Sequence, residues 1–164
     1  MTRRDSGNSI AALATTLAER LRAWAAELGT DDATASLVAK AAKAALIATD
    51  NGDVCISLAR ALVCQDPSTL TRERNALLSS GLVGTHESTH TAPLILDADD
   101  RLYLARYFDY ERRLAQRIDA ALRHPPASLP PDEALQPASE QPTLTMGQRL
   151  AIGLALMRRI TVIS

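Results

Sequence analysis

One stretch of the chain cannot form a helix or a regular strand. Six of the eight prolines lie between His124 and Thr143. Proline lacks an amide hydrogen and its ring clashes with the preceding helical turn, so we expect this stretch to be extended and to act as a linker. We therefore predict three parts: a domain over residues 1–123, the linker over 124–143, and the start of a second domain over 144–164.

The composition predicts a mainly α fold. Hydrophobic residues make up 46% of the chain but aromatic residues only 3%. Alanine and leucine supply much of the apolar content, and both favour helix over sheet. A chain of this length can bury a core of ordinary size.

The first predicted helix, Ile10–Leu28, has its large apolar residues on one stripe, which we expect to face the core. Gly29 ends this helix, and Asp31 begins a second helix that runs to about Thr49. The second helix is rich in alanine and can therefore approach a neighbour closely. The stripe of the first helix consists of Ile10, Leu13, Leu17, Leu21, Trp24 and Leu28.

Two short predicted helices, Leu58–Cys64 and Ser68–Ser80, precede a β-hairpin at about 93–104. Leu94 and Leu96 alternate with Ile95 in its first strand, and Leu102 and Leu104 alternate with Tyr103 in its second. The turn holds the acidic residues Asp97, Asp99 and Asp100. A two-stranded hairpin is marginal alone and must lie against the helices.

This order of helices and hairpin outlines a winged-helix-like module, for which two uses remain open. In a DNA-binding module, the second helix would present Arg72, Arg74 and Asn75 to the bases. Glu73 on the same helix and the acidic turn would repel phosphate, which favours contacts with protein.

A further helix, from Tyr107 to about Arg123, follows the hairpin and belongs to a segment with a basic excess. The segment could face DNA or an acidic partner, although a solvated helix surface is the default interpretation. Its arginines are Arg101, Arg106, Arg112, Arg113, Arg117 and Arg123.

Several classes of function find no support in the sequence. The net charge of -1 gives no overall attraction to nucleic acid or to anionic membranes. We find neither an apolar run long enough to span a membrane nor an N-terminal signal peptide, so we expect a cytoplasmic protein without membrane contact. Without an export signal, Cys55 and Cys64 are expected to be reduced and buried.

The string His86-Glu87-Ser88-Thr89-His90 matches the HExxH pattern of zinc metalloproteases. That chemistry needs both histidines one turn apart on a rigid helix, with a third ligand elsewhere. Here the string lies in a polar segment between Gly84 and Pro93, where we expect a loop. We therefore predict no metal site and no catalytic residue in this chain.

The last residues predict a helix followed by an apolar strand, Ile160–Ser164. The helix begins near Gln148, which has two interpretations. It completes a capping box with Thr145, or it contacts an adenine base through its side-chain amide, as a glutamine before a P-loop strand can. The chain offers no partner for the strand, so we expect it to be a fragment that stops where a larger α/β domain begins.

Two segments together give the chain a resemblance to a known family. They are Leu102-Tyr-Leu-Ala-Arg-Tyr-Phe-Asp-Tyr-Glu111, preceded by Pro93-Leu-Ile-Leu, and Ala155-Leu-Met-Arg-Arg-Ile-Thr-Val-Ile-Ser164. In this order, with Gln148 and the linker between them, they resemble the N-terminal region of the RecD family, the alpha subunits of the exodeoxyribonuclease V (RecBCD) helicase-nuclease. The resemblance covers roughly Gly52–Ser164. Phe108 stands where the family commonly has an indole.

The resemblance implies a superfamily 1 helicase that uses ATP and Mg²⁺ to move 5′ to 3′ on DNA and that acts at double-stranded ends in recombinational repair. In the family a Walker A loop follows the strand that ends at Ser164. This chain lacks that loop and should bind nucleotide weakly or not at all. Gln148 falls on the family's adenine-contacting position. The residues before the linker would dock on RecC-like and RecB-like subunits.

Overall fold

The structure, a computed structural model, describes residues 3–87, 92–124, 144–158 and 160–162. The chain divides into two compact units, Met1–Tyr110 and Glu111–Ser164. Helices dominate the described residues, and the first unit also contains a small mixed sheet. The prediction of a mainly α fold is confirmed at this level. The predicted linker, apart from His124, lies outside the described residues.

The helices and strands follow one another in an order close to the one predicted. The helices are α1 (Arg3–Glu27), α2 (Asp32–Asp50), α3 (Leu58–Leu62), α4 (Pro67–Ser79), α5 (Ala105–Arg123) and α6 (Met146–Met157), and the strands are β1 (Ile56–Ser57), β2 (Val83–Gly84), β3 (Leu94–Leu96) and β4 (Arg101–Leu104).

Local capping residues set several of these boundaries. The chain leaves α1 through Gly29, whose φ of 81° is accessible to glycine at little cost. Asp31 caps α2 by accepting a hydrogen bond from the backbone amide of Thr34 at 2.9 Å. Asp66 caps α4, and hydrogen bonds from the hydroxyl of Ser68 and from Thr69 lower the pKa of Asp66 to about 2.

Small residues form the contact between α1 and α2, which corrects the prediction for α1. The buried residues of α1 are Ala14, Ala18, Leu21 and Ala25, whereas Leu13, Trp24 and Leu28 stay exposed. On α2 the buried side chains are likewise small. Because alanine methyl groups take little space, the two helix backbones can approach closely. They are Ala35, Val38, Ala41, Ala42, Ala45 and Ala48.

The predicted hairpin is the centre of a four-stranded sheet in the order β1-β4-β3-β2. β3 and β4 pair antiparallel, with Ile95 opposite Tyr103. β1 adds antiparallel to β4, and β2 adds parallel to β3. The expectation of only two strands was therefore wrong. Both additional strands have two residues, too few for an alternating pattern to show in the sequence.

The core of the first unit lies between this sheet and the helices. α2 contacts α1, α3, α4, β1 and β4 and is therefore the central element. The largest fully buried side chains come from α2, α3, α4, β3, β4 and the residue before β2. They are Val38, Leu58, Leu77, Leu82, Leu94, Ile95, Leu96 and Leu102.

In the second unit, α6 begins as predicted, but the described part of the strand predicted after it is not a strand. Ile160–Val162 belong to neither a helix nor a strand. The described residues of this unit contain no strand that could pair with them, and an unpaired strand leaves its backbone groups unsatisfied. Ile163 and Ser164 lie outside the described residues.

The alanine contact predicts a sharp difference between neighbouring positions of α1. Ala25 is fully buried in the core, whereas Ala26 is exposed. We expect Ala25→Leu to lower the free energy of unfolding by about 1–3 kcal/mol, because the added atoms force the two helices apart. Ala26→Leu should change it by less than about 0.5 kcal/mol. Urea unfolding followed by circular dichroism measures both, and equal effects would show that α1 packs through a different face.

Candidate docking surface

Large apolar residues of α1, together with Leu28 directly after it, form an exposed stripe beside the buried face of the helix. Leu13, Trp24 and Leu28 are 53%, 44% and 54% exposed, and Leu17 is partly buried. At about 100° per residue, these four side chains centre roughly 80° around the helix axis from the buried face. Isolated surface leucines need no explanation, but a row of large apolar residues including a tryptophan is typical of a protein interface.

A groove of about 560 Å³ lies beside this stripe and shares Leu17 and Trp24 with it. We call it the α1 groove. Apolar side chains form most of its described lining, in which Arg20 and Glu27 are the charged residues. The described residues that line it are Leu17, Arg20, Leu21, Ala23, Trp24, Glu27 and Pro93.

A hydrogen-bond network around Asp97 fixes the turn between β3 and β4. One carboxylate oxygen accepts from the backbone amides of Asp99 and Arg101, both at 2.9 Å. The other accepts from the Arg101 guanidinium at 2.7 Å and from the Tyr103 hydroxyl at 3.3 Å. Burial favours the neutral acid, but the bonds from Arg101 and Asp99 outweigh it, so the pKa of Asp97 lies below its ordinary value.

The Tyr103 hydroxyl connects this network to Cys55. Burial is the main reason that the pKa of Tyr103 is raised, and its hydrogen bond with the Cys55 thiol adds to the effect. Cys55 and Cys64 are both free cysteines of intermediate exposure. Neither is fully buried, contrary to the expectation from the sequence, and their reduced state stays a prediction.

Asp100 connects the same turn to the helices. Its carboxylate accepts a hydrogen bond from the Arg74 guanidinium of α4 at 2.7 Å, and its backbone carbonyl accepts one from Leu58 at the start of α3 at 2.8 Å. Arg74 is therefore held against the turn, while Arg72 and Asn75 remain exposed. Arg74, one of the three side chains expected to reach DNA bases, therefore forms an ion pair with Asp100 within the protein.

Carboxylates also neutralise part of the basic segment. Arg101 pairs with Asp97 and Asp99, and Arg123 pairs with Asp119 at 2.7 Å. Arg106 stacks over the ring of Tyr107, with 5.2 Å between the guanidinium carbon and the ring centroid. Internal pairing of this kind weakens any attraction to phosphate.

The capping box that the sequence predicts at α6 is present. The backbone amide of Gln148 donates to the Thr145 hydroxyl at 3.3 Å, and the Gln148 side-chain oxygen accepts from the Thr145 amide at 2.8 Å. The side-chain oxygen is thus engaged with the backbone. The adenine contact predicted for Gln148 stays a prediction.

The HExxH string begins in a turn, as expected. His86 and Glu87 follow β2 outside any helix, and both side chains are exposed. Ser88–His90 lie outside the described residues. Within the described part of the chain no group of three His, Cys, Asp or Glu side chains could hold a metal ion, and no helix there has the length and apolarity needed to cross a membrane.

Comparison of the chain with protein-family models, curated protein sequences and solved structures finds no match. The surfaces are therefore interpreted from their own geometry. The sequence pattern assigned the whole predicted stripe to the core, which is confirmed for Leu21 but wrong for Leu13, Trp24 and Leu28. The signal that could have corrected it is the second row of small residues, Ala14, Ala18 and Ala25, on the adjacent face of the helix.

The Asp97 network predicts a pH-dependent loss of stability on substitution. We expect Asp97→Asn to lower the free energy of unfolding by about 1–3 kcal/mol at pH 7, because the amide offers a donor where the carboxylate accepts. The folded-state pKa of Asp97 lies below the unfolded value, so its contribution is present above about pH 4 and is lost as pH falls through the folded-state pKa.

Urea unfolding at pH 7 and pH 3 tests this expectation. The difference in the free energy of unfolding between the unsubstituted chain and Asp97→Asn should be smaller at pH 3. Asp99→Asn is the matched control, because its carboxylate is exposed and its pair with Arg101 contributes less than about 1 kcal/mol. A gap of equal size at both pH values would contradict the role given to the Asp97 carboxylate.

Proposed function

We propose that this chain is the N-terminal docking domain of a RecD-like helicase subunit and that it attaches that subunit to RecC-like and RecB-like partners. The segment that carries the resemblance supports this proposal. Leu102 and Tyr103 are buried in β4, and α5 follows that strand at Ala105 without a loop. The resembling residues thus form one continuous strand and helix, of which the strand is anchored in the core.

The ion pair between Arg74 and Asp100 is the observation that favours protein docking over DNA binding. DNA recognition by α4 needs cationic side chains that are free to reach phosphates and bases. Arg74 is held by the turn instead, and the same turn adds the exposed carboxylate of Asp99. This face of the first unit presents mixed charge, whereas the stripe on α1 presents apolar surface.

A winged-helix DNA-binding module is the second candidate. The order α2, β1, α3, α4 and then β2 to β4 favours it, because winged-helix modules have a helix, a strand, two helices and a hairpin in that order. Arg72 and Asn75 are exposed on α4. The acidic turn at the tip of the hairpin, where a DNA-binding wing would meet phosphate, argues against it.

Two binding measurements separate these candidates. We expect the full chain to bind the purified RecC-like subunit from the same source in biolayer interferometry. We expect only weak, sequence-independent retention of a fluorescent DNA duplex in anisotropy measurements. Failure to bind the subunit, together with duplex binding that weakens steeply with salt, would favour the DNA-binding candidate.

The proposed ATPase part gives Gln148 a separate test. Gln148→Glu keeps a residue that can complete the capping box but removes the amide donor that an adenine contact requires. In the RecD-like protein with its Walker A loop, we expect this substitution to weaken ATP binding about tenfold, the effect of losing about 1.4 kcal/mol. The helical circular dichroism of the chain should not change.

Thr145→Ala is the reciprocal control, because it removes the cap and leaves the Gln148 amide in place. It should reduce the stability of α6 with a smaller effect on nucleotide affinity. If Gln148→Glu leaves ATP binding unchanged, Gln148 is a capping residue only.

A further inference from the structure

The α1 groove lies within a longer apolar stripe that offers a surface for one helix. From Leu13 to Leu28, the residue directly after α1, the stripe spans about 22 Å, or about four helical turns. Amphipathic helices that dock in grooves use apolar anchors at intervals of three and four residues, and the spacing of Leu13, Leu17, Trp24 and Leu28 matches that period. A half-exposed tryptophan in such a stripe is the kind of side chain that dominates interface energetics.

The charges along the groove define the chemistry of the occupant. Arg20 and Glu27 lie on the same border of the stripe, seven residues or about 10 Å apart. Both are exposed, and neither forms an ion pair with a residue that the structure describes. Each is therefore available to a group on a partner.

A second copy of this chain fits the groove poorly. Antiparallel two-fold pairing that buries all the large residues places Leu13 opposite Leu28 and Leu17 opposite Trp24 of the other copy. The symmetry axis then passes beside Arg20 and brings that side chain against its own copy, which like charge disfavours. A pairing that places Arg20 opposite Glu27 of the other copy moves the symmetry axis by about three residues. Leu13 then lies beyond the end of the opposite helix and stays uncovered.

We propose that the α1 groove binds a single amphipathic helix of a partner subunit, with an acidic residue of that helix against Arg20 and a basic residue against Glu27. The partner helix covers Leu13, Leu17, Trp24 and Leu28 with its own apolar face. The identity of the partner rests on the proposed docking function. The groove, its border charges and the mismatch with a second copy are features of the first unit alone.

Three substitutions in the full chain test this proposal against the purified RecC-like subunit. Trp24→Ala should weaken binding by about 30-fold or more, as expected for an interface hot spot. Arg20→Glu should weaken it by about 10- to 100-fold, because it places two like charges together. Lys43→Glu makes the same change of charge on the exposed surface of α2 and should alter binding by less than about threefold.

Circular dichroism and thermal unfolding of each variant provide the folding control, and all three should resemble the unsubstituted chain because the substituted residues are exposed. Binding that is unaffected by Trp24→Ala and Arg20→Glu would overturn the groove assignment and leave the docking function standing. Absence of binding by the unsubstituted chain would overturn both. Self-association in analytical ultracentrifugation that Trp24→Ala abolishes would identify a second copy as the occupant instead.

Discussion

The alanine contact between α1 and α2 determines which surface the first unit presents. Methyl groups of Ala14, Ala18 and Ala25 meet the alanine-rich face of α2, and two helices packed through such small groups approach closely. Leu21 also lies in the core, whereas Leu13 and Trp24 lie on the adjacent face. With Leu17 and Leu28 they leave an apolar stripe about four turns long.

The turn between β3 and β4 also determines what the first unit presents at its surface. Asp97 accepts hydrogen bonds from donors within and next to the turn, and Asp100 connects the turn to α3 and to Arg74 of α4. These carboxylates hold the hairpin against the helices. They also engage cations that a DNA-binding surface would need, so one set of interactions both stabilises the fold and weakens its attraction to phosphate.

Local signals predicted this fold well, and signals that depend on tertiary contacts predicted it poorly. The caps at Asp31 and Thr145 and the acidic turn depend on residues a few positions apart, which the sequence displays directly. The buried face of α1 could not be chosen in the same way. Alanine and leucine rows lie side by side on that helix, and only the alanine-rich surface of α2 decides between them.

The sheet and the candidate surfaces also combine features that local sequence predicts with features that depend on tertiary contacts. β1 and β2 have two residues each and form because β3 and β4 offer edges to pair with, not because of any pattern of their own. The exposure of Arg72 and Asn75 followed from the position of α4, but the capture of Arg74 by Asp100 depends on two residues 26 positions apart. Pairing across that separation cannot be foreseen from sequence spacing.

Trp24 allows a direct measurement of the central claim, that the exposed stripe of α1 is an interface, because it is the only tryptophan in the chain. A chain labelled with 5-fluorotryptophan gives one ¹⁹F resonance from this position. We expect it to respond to a soluble paramagnetic agent in the free chain, and to shift and lose that response when unlabelled RecC-like subunit saturates the chain. A resonance that keeps both its position and its response in a complex shown independently to have formed would contradict the claim.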